Sequence, residues 1–244
     1  MTMADTPWAA KAASLYDDAY AERYRSHDEG LIESAAYQMF VSWLQGVCQR
    51  FTHPFDALDL GCGTGRYFCA LHGVRALVGL DVSAPMLARA LHPLHEDRIT
   101  AATVTLVQGD LLGQDLGSRF DDHFDLVYSI GVLAEHVPLQ PALIPQVRRW
   151  LRPGGRFAFS TVHPESASVP RTLARRVGTL VAPVLPASLQ RMVRRRLLDG
   201  GLYADEASVR ALLADGFAIE SLERAESEAH LHCLCVARKV SVSA

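Results

Sequence analysis

The residues best suited to chemistry stand in one short stretch, Ala57-Leu-Asp-Leu-Gly-Cys-Gly-Thr-Gly-Arg66. Glycines admit positive φ and let a ligand approach the backbone closely. An apolar run, a glycine-rich turn and a helix, in that order, put the turn at the carboxyl end of a strand. Open α/β sheets bind their ligands there, and the helix would offer unpaired N–H groups. Spacing then selects the ligand. A dinucleotide fingerprint wants G-x-G-x-x-G, but Arg66 occupies the slot of its third glycine. A phosphate loop wants Gly-Lys followed by Ser or Thr, which is absent. Asp59, two residues before the first glycine, repels a pyrophosphate and suits a cationic amine. The next apolar run, Leu77-Val-Gly-Leu-Asp81, ends in an acid that can accept both hydroxyls of a ribose. The pattern asks for a nucleoside with a positive tail and no phosphate.

These residues need strands and helices to hold them. Residues 8–50 read as helix, with Leu31, Ala35, Met39, Trp43 and Val47 at helical spacing and no interrupting proline. After Pro54, apolar runs alternate with helical stretches. Strands are expected at Ala57–Leu60, Ala76–Leu80, Thr103–Val107, Phe124–Ser129 and Gly155–Thr161, the last entered through a Pro153-Gly154-Gly155 turn. Helices are expected at Gly65–His72, Pro85–Leu91 and Pro141–Trp150. This alternation implies parallel strands joined by crossover helices. Residues 165–201 break the rhythm, with prolines, seven arginines against Glu165 and Asp199, and apolar residues at near-helical spacing. They read as a helical insertion. A helix at Glu206–Asp215, ended by Gly216, and two closing strands at Phe217–Leu222 and His230–Ala237 complete the chain. The division is a cap at 1–53, a core at 54–164 and 202–244, and a lid at 165–201.

Asp59-Leu-Gly-Cys-Gly-Thr-Gly65 resembles the first motif of the class I S-adenosylmethionine-dependent methyltransferases. Gly79-Leu-Asp-Val-Ser-Ala-Pro-Met-Leu87, Val107-Gln-Gly-Asp110, Phe124-Asp-Leu-Val-Tyr-Ser-Ile-Gly131 and Trp150-Leu-Arg-Pro-Gly-Gly-Arg-Phe157 resemble the later segments in order. The resemblance implies an α/β, Rossmann-like, seven-stranded, mostly parallel sheet with helices on both faces and an antiparallel C-terminal hairpin. It implies S-adenosyl-L-methionine as methyl donor and S-adenosyl-L-homocysteine as product. It lays Gly61 and Gly63 against the methionine part, with Asp59 ordering the ammonium, and counts Cys62 and Gly65 among the donor-binding residues. Asp81 takes the ribose hydroxyls, and Val82 and Met86 flank the adenine. Asp110 holds the adenine amino group beside Gly109 and Leu111, and Ser129 and Ile130 floor the sulfonium. Tyr16, Tyr20 and Tyr24 are four apart and share a helix face. By the same resemblance, Tyr16 and Tyr24 approach the donor's carboxylate or sulfonium.

Methyl transfer from a sulfonium is an in-line displacement, so the protein chiefly aligns nucleophile and methyl. An acceptor that must lose a proton needs a base. His136, past the fourth strand, and His163, past the fifth, are the candidates; histidine titrates near neutrality. His230-Leu-His-Cys-Leu-Cys235 suggests a metal, but on a strand the histidines and cysteines face opposite sides, so no metal is assigned. The insertion's leucines and valines could wall an apolar pocket. Its arginines could meet a carboxylate or phosphate, or a membrane surface. The expected acceptor is a small hydrophobic molecule, with or without an anionic group.

The 244 residues are 49% hydrophobic and 21% charged, enough to bury a large core. A net charge of −3 gives no general attraction to nucleic acid, and basic residues cluster only in the insertion. The fourth-strand segment Tyr128-Ser-Ile-Gly131 also lacks the proline pair of amino-methylating nucleic-acid enzymes. Nucleic-acid methylation and a non-catalytic donor-binding protein are the alternatives. No apolar run is long enough to span a membrane, no secretory pattern opens the chain, and five irregularly spaced cysteines suit a reducing compartment. A cytoplasmic location is expected, and a homodimer is compatible with it.

Overall fold

The computed structural model describes residues 14–112, 118–169, 202–227 and 230–240, with 185, 186 and 189 besides. Most of the expected lid at 165–201, and the chain before residue 14, lie outside these.

The N-terminal stretch folds as two helices rather than one: α1 (Asp18–Leu31) and α2 (Ala35–Cys48). Short polar side chains start each of them. Asp17 accepts the Tyr20 N–H at 2.8 Å and Ser34 accepts the Tyr37 N–H at 3.2 Å. Such caps satisfy amides that a helix start leaves unpaired. The Asp17 cap also corrects the tyrosine reading, because Tyr16 precedes α1 and only Tyr20 and Tyr24 lie on it.

The strands form where apolar runs predicted them: β1 (Phe55–Leu60), β2 (Val74–Asp81), β3 (Thr103–Gln108), β4 (Phe124–Ser129), β5 (Leu151–Val162), β6 (Phe217–Glu226) and β7 (Leu231–Lys239). They make one sheet in the order β3-β2-β1-β4-β5-β7-β6. The first five are parallel, while β7 runs antiparallel to both β5 and β6. The order reverses between β1 and β4, which opens a crevice at their carboxyl ends. The helices α3 (Ala84–Ala90), α4 (Leu143–Trp150) and α5 (Glu206–Leu213) occupy the remaining expected places.

One expected helix does not form. Residues 61–73 are turns with a single 3-10 turn at Phe68–Ala70. Gly61, Gly63 and Gly65 all have positive φ (80°, 55° and 76°), a conformation that cannot continue a right-handed helix. β2 then begins at Val74, so the chain has no length left for one.

Alternation along the strands divides the core between two faces. Leu58, Leu60, Phe157, Phe159 and Cys235 pack with α4 and α5, whereas Ala57, Tyr128, Ala158, Leu234 and Val236 pack with α2. At the edge opposite the crevice, buried Asp56 binds Arg75 and Arg152, and Arg152 reaches Asp125 at 2.6 Å. Burial pushes the Asp56 carboxyl up, but the two guanidinium groups together outweigh it and hold it below its ordinary 3.8. A lowered carboxyl contributes stability above the unfolded value and loses it as pH falls through the folded one. Asp56→Asn should therefore lower the urea unfolding midpoint clearly at about pH 7 and progressively less toward about pH 2. Equal losses at both ends would refute this role.

Candidate active site

The crevice is built around bare backbone. A Cβ on Gly61 would lie 2.6 Å from Val132 Cγ2, so glycine is required by contact as well as by φ. The Gly61 and Cys62 amides donate to the Leu80 carbonyl at 2.8 and 3.0 Å, tying the loop to the tip of β2. Asp81 ends that strand and takes the Gly63 N–H on one oxygen (2.8 Å) and the Ser83 N–H on the other (2.9 Å). Each oxygen keeps a lone pair for a further donor. Burial nevertheless raises the carboxyl above its usual range.

Two chambers meet over the strand tips. The first has a volume of about 220 Å³ and is walled by Tyr16, Asp81, Val82, Met86, Gly109, Asp110 and Leu111 among others. Leu15 and Leu202, which the sequence reading did not single out, also close it. The second, about 190 Å³, runs past Asp59, Cys62, Arg66 and Ile130 toward the β6–β7 hairpin. Tyr24, Gly61, Gly63, Gly131, Val132, Glu135 and His136 line both. His136 therefore sits where the chambers join, its Nε2 3.7 Å from Glu135 and its ring edge-on to Tyr16.

Asp59 is 4% exposed and faces the second chamber. Burial pushes its carboxyl up to about 8; Tyr128 lowers it and Asp81 raises it further. Among the described residues no cation is paired with it. A buried carboxyl in this state gains most from a cationic ligand, which would restore its charge.

The N-terminal segment closes the crevice from above. The Ser83 hydroxyl accepts the Met86 N–H and donates to the Tyr16 carbonyl at 2.7 Å. Arg89 holds Glu22 at 2.7 Å. Buried Asp28 receives the Thr64 hydroxyl at 2.6 Å and pairs with Arg66, whose guanidinium lies 4.6 Å over the Tyr24 ring. Sequence reading missed Asp28 and Arg66 as site-building residues. Asp28 continues the Tyr16, Tyr20, Tyr24 spacing by one more step of four, and that was its only signal.

Three expected site residues lie elsewhere. Gly65 lines neither chamber; its positive φ and the Phe68 ring, 2.8 Å from where a Cβ would be, give it a turn-forming role. Ser129 is fully buried and donates to the Leu60 carbonyl at 2.7 Å, bridging β1 and β4. His163 is 3% exposed and borders neither chamber. Its Nδ1 accepts the Glu165 N–H at 3.1 Å, so the neutral ring carries its proton on Nε2, which faces Glu206 at 3.3 Å. His163, Glu206 and Cys233 do bring their potential ligand atoms within 4.8 Å of one another. A metal there would have to displace the Nε2 proton and compete with Arg224, which grips both Glu206 oxygens.

The family model for a methyltransferase domain matches residues 57–155. A ubiquinone biosynthesis O-methyltransferase of Pseudomonas syringae is 32% identical over 109 residues, 43% of this chain and 44% of that protein. The chain thus matches less than half the length of that relative. One of the same description from Thiobacillus denitrificans is 30% identical over 160 residues, 61% of this chain and 65% of that one. Among solved structures, an S-adenosylmethionine-dependent methyltransferase from Mesorhizobium loti shares 26% identity at a TM-score of 0.55, covering 82% of this chain and 98% of that one. Residues 57–155 match a methyltransferase domain, and the fold is that of class I S-adenosylmethionine-dependent methyltransferases. The Synechocystis magnesium protoporphyrin IX methyltransferase, solved with bound S-adenosylhomocysteine, has the same fold at a TM-score of 0.63 and 19% identity, covering 95% of this chain and 99% of that one. Among the described residues, no helix of the domain is long and apolar enough to cross a membrane.

Asp59 makes a measurable demand on this methyltransferase domain. A carboxyl raised in the folded state subtracts stability as pH climbs from its unfolded to its folded value. Asp59→Asn should raise the melting temperature of the ligand-free protein more at about pH 8.5 than at about pH 5. A pH-independent change would show that Asp59 is not buried as an acid.

Proposed function

We propose that this chain transfers the methyl group of S-adenosylmethionine to a small organic acceptor and releases S-adenosylhomocysteine. The observation that carries the reading is Asp59, a buried carboxyl beside bare glycine backbone, which awaits a positive charge. The donor's ammonium supplies that charge. The ribose hydroxyls have a ready partner in Asp81, already oriented by two amides. Val82, Met86 and Leu111 provide apolar walls for an adenine, and Asp110 a polar edge. Tyr16 and Tyr24 both line the crevice, and since the Tyr24 ring already lies under the Arg66 guanidinium, Tyr16 is the ring that suits a sulfonium. When bound, the donor supplies an activated methyl group.

The protein then has to align an acceptor and exclude water. Tyr16, tied down through Ser83, helps cover the crevice from the N-terminal side. His136, at the junction of the chambers, is our candidate for the group that takes the acceptor's proton. Its Nε2 lies 3.7 Å from the Glu135 carboxylate. The relatives named as O-methyltransferases support an oxygen nucleophile.

Calorimetry with donor and product tests the reading. Asp81→Ala should weaken both by more than tenfold, roughly the 1.4 kcal/mol or more set by lost charged hydrogen bonds. Near neutral pH, binding should release close to one proton, because the ammonium returns Asp59 to its ionised form. Titrations in two buffers of different ionisation enthalpy measure this release, and Asp59→Asn should abolish it. Unchanged affinity in Asp81→Ala would overturn the donor assignment.

A further inference from the structure

The donor accounts for the first chamber and for the glycine-loop end of the second. The far end of the second chamber, under the β6–β7 hairpin, has no role in that account. Here Ser227 and His230 exchange backbone hydrogen bonds of 2.8 and 3.2 Å, closing the turn. The Ser227 hydroxyl lies 3.2 Å from His232 Nε2. The His230 ring stacks on His232 at 5.5 Å, and Phe40 of α2 meets His232 edge-on at 5.1 Å. His232 shares strand parity with Leu234 and Val236, so it faces α2, the side that also holds the Asp59 chamber. One continuous space therefore joins Asp59, His136 and His232 across the tips of three strands.

The chemistry of this end is specific. Burial pulls His232 down to about 4, helped by neighbouring His230, so its ring stays neutral near physiological pH. The guanidinium in this chamber, Arg66, is already held by Asp28. An anionic acceptor would find little compensation here and would also meet Glu135 and Asp59. A neutral hydroxyl finds imidazole and hydroxyl partners, and an aromatic ring finds Phe40, Tyr67 and the histidine faces. The whole second chamber holds about 190 Å³ and the donor takes its glycine-loop end, so the hairpin end has room for a compact group and not for a long chain.

We propose that the hairpin end of the second chamber is the methyl-acceptor subsite, that it takes a compact uncharged aromatic alcohol, and that Phe40, His230 and His232 determine which one. The proposal rests on the donor reading above. In the reaction, the phenolic oxygen bonds to the methyl carbon as the carbon–sulfur bond breaks. Sulfur keeps the bonding pair and becomes the thioether of the product, and the phenolic proton passes to His136.

Catechol is the probe. Titrated into the full-length protein saturated with S-adenosylhomocysteine, it should shift the imidazole carbon–proton NMR signals of His230 and His232 and leave those of exposed His92 in place. With S-adenosylmethionine present, mass spectrometry should detect the monomethyl ether. His232→Phe should raise the catechol KM at least tenfold while donor affinity, read by calorimetry, holds; His232→Gln, which keeps a neutral hydrogen-bonding end, should recover most of it. Should His232→Phe fail to fold, His230→Phe and the wild-type NMR shifts decide the question. Normal donor binding with no catechol-induced shift at either histidine overturns the acceptor subsite and leaves the donor reading standing. Benzoate binding as well as catechol does overturns the requirement for an uncharged acceptor. Failure to bind S-adenosylhomocysteine at all removes the donor reading itself.

Discussion

The hydrogen bond from the Gly63 amide to Asp81 holds the crevice together. It joins the loop after β1 to the tip of β2 and spends one carboxylate oxygen on the loop's backbone. The loop can then run as successive left-handed turns where a helix was expected. Asp81 is oriented by the same contacts, since Ser83 N–H fixes its second oxygen. A carboxylate held this way meets a ligand without reorganising, and pre-organisation of that kind is what makes a polar contact effective. Burial still opposes the charge and holds the Asp81 carboxyl above its usual pKa range. Hydroxyl donors from a ligand would ease that opposition.

Around this core the N-terminal helix is attached by charges buried with it. Asp28 is 1% exposed and contacts both Thr64 and Arg66 of the glycine loop. Burying an ion pair costs desolvation that only good geometry offsets. Its value here is specificity: Asp28, Arg66 and the Tyr24 ring set α1 in one position over the second chamber. Ser83 does the same for Tyr16 over the first. The cover of the crevice is thus pinned to the two loops that line it, so loop geometry and cover are coupled.

The histidines show how a sheet sorts chemistry. His163 and His232 lie at adjacent strand ends, with Val162 paired to His232. One residue of parity sends them to opposite faces. His232 joins the α2 side and the chamber, while His163 joins Cys233 and Glu206 on the α5 side. There the Glu165 amide donates to its Nδ1 and Glu206 lies 3.3 Å from its Nε2, away from both chambers.

The sequence alone determined the sheet and the ligand-facing backbone. Apolar runs of strand length, glycines at alternate positions and acids at two strand ends are local features, and local sterics and charge give them the same meaning in any such sheet. Hence β1 to β5 and the hairpin were legible in advance, and Gly61, Gly63, Asp81, Val82, Met86 and Asp110, expected at a donor, all line the crevice on which the proposed function rests. Tertiary structure decided whatever depended on distant partners. The break between α1 and α2 is flanked by Gly30 and Ser34, yet no proline marks it and the apolar spacing runs through it. Ser129 and Gly65 look like site residues until Leu60 and Phe68 claim them. Arg66, Asp28, Glu135 and the hairpin histidines converge from separate segments of the chain, and no spacing within one segment encodes such a meeting. Burial, which turns Asp59 into an acid awaiting a cation and His232 into a neutral ring, exists only once those segments have packed.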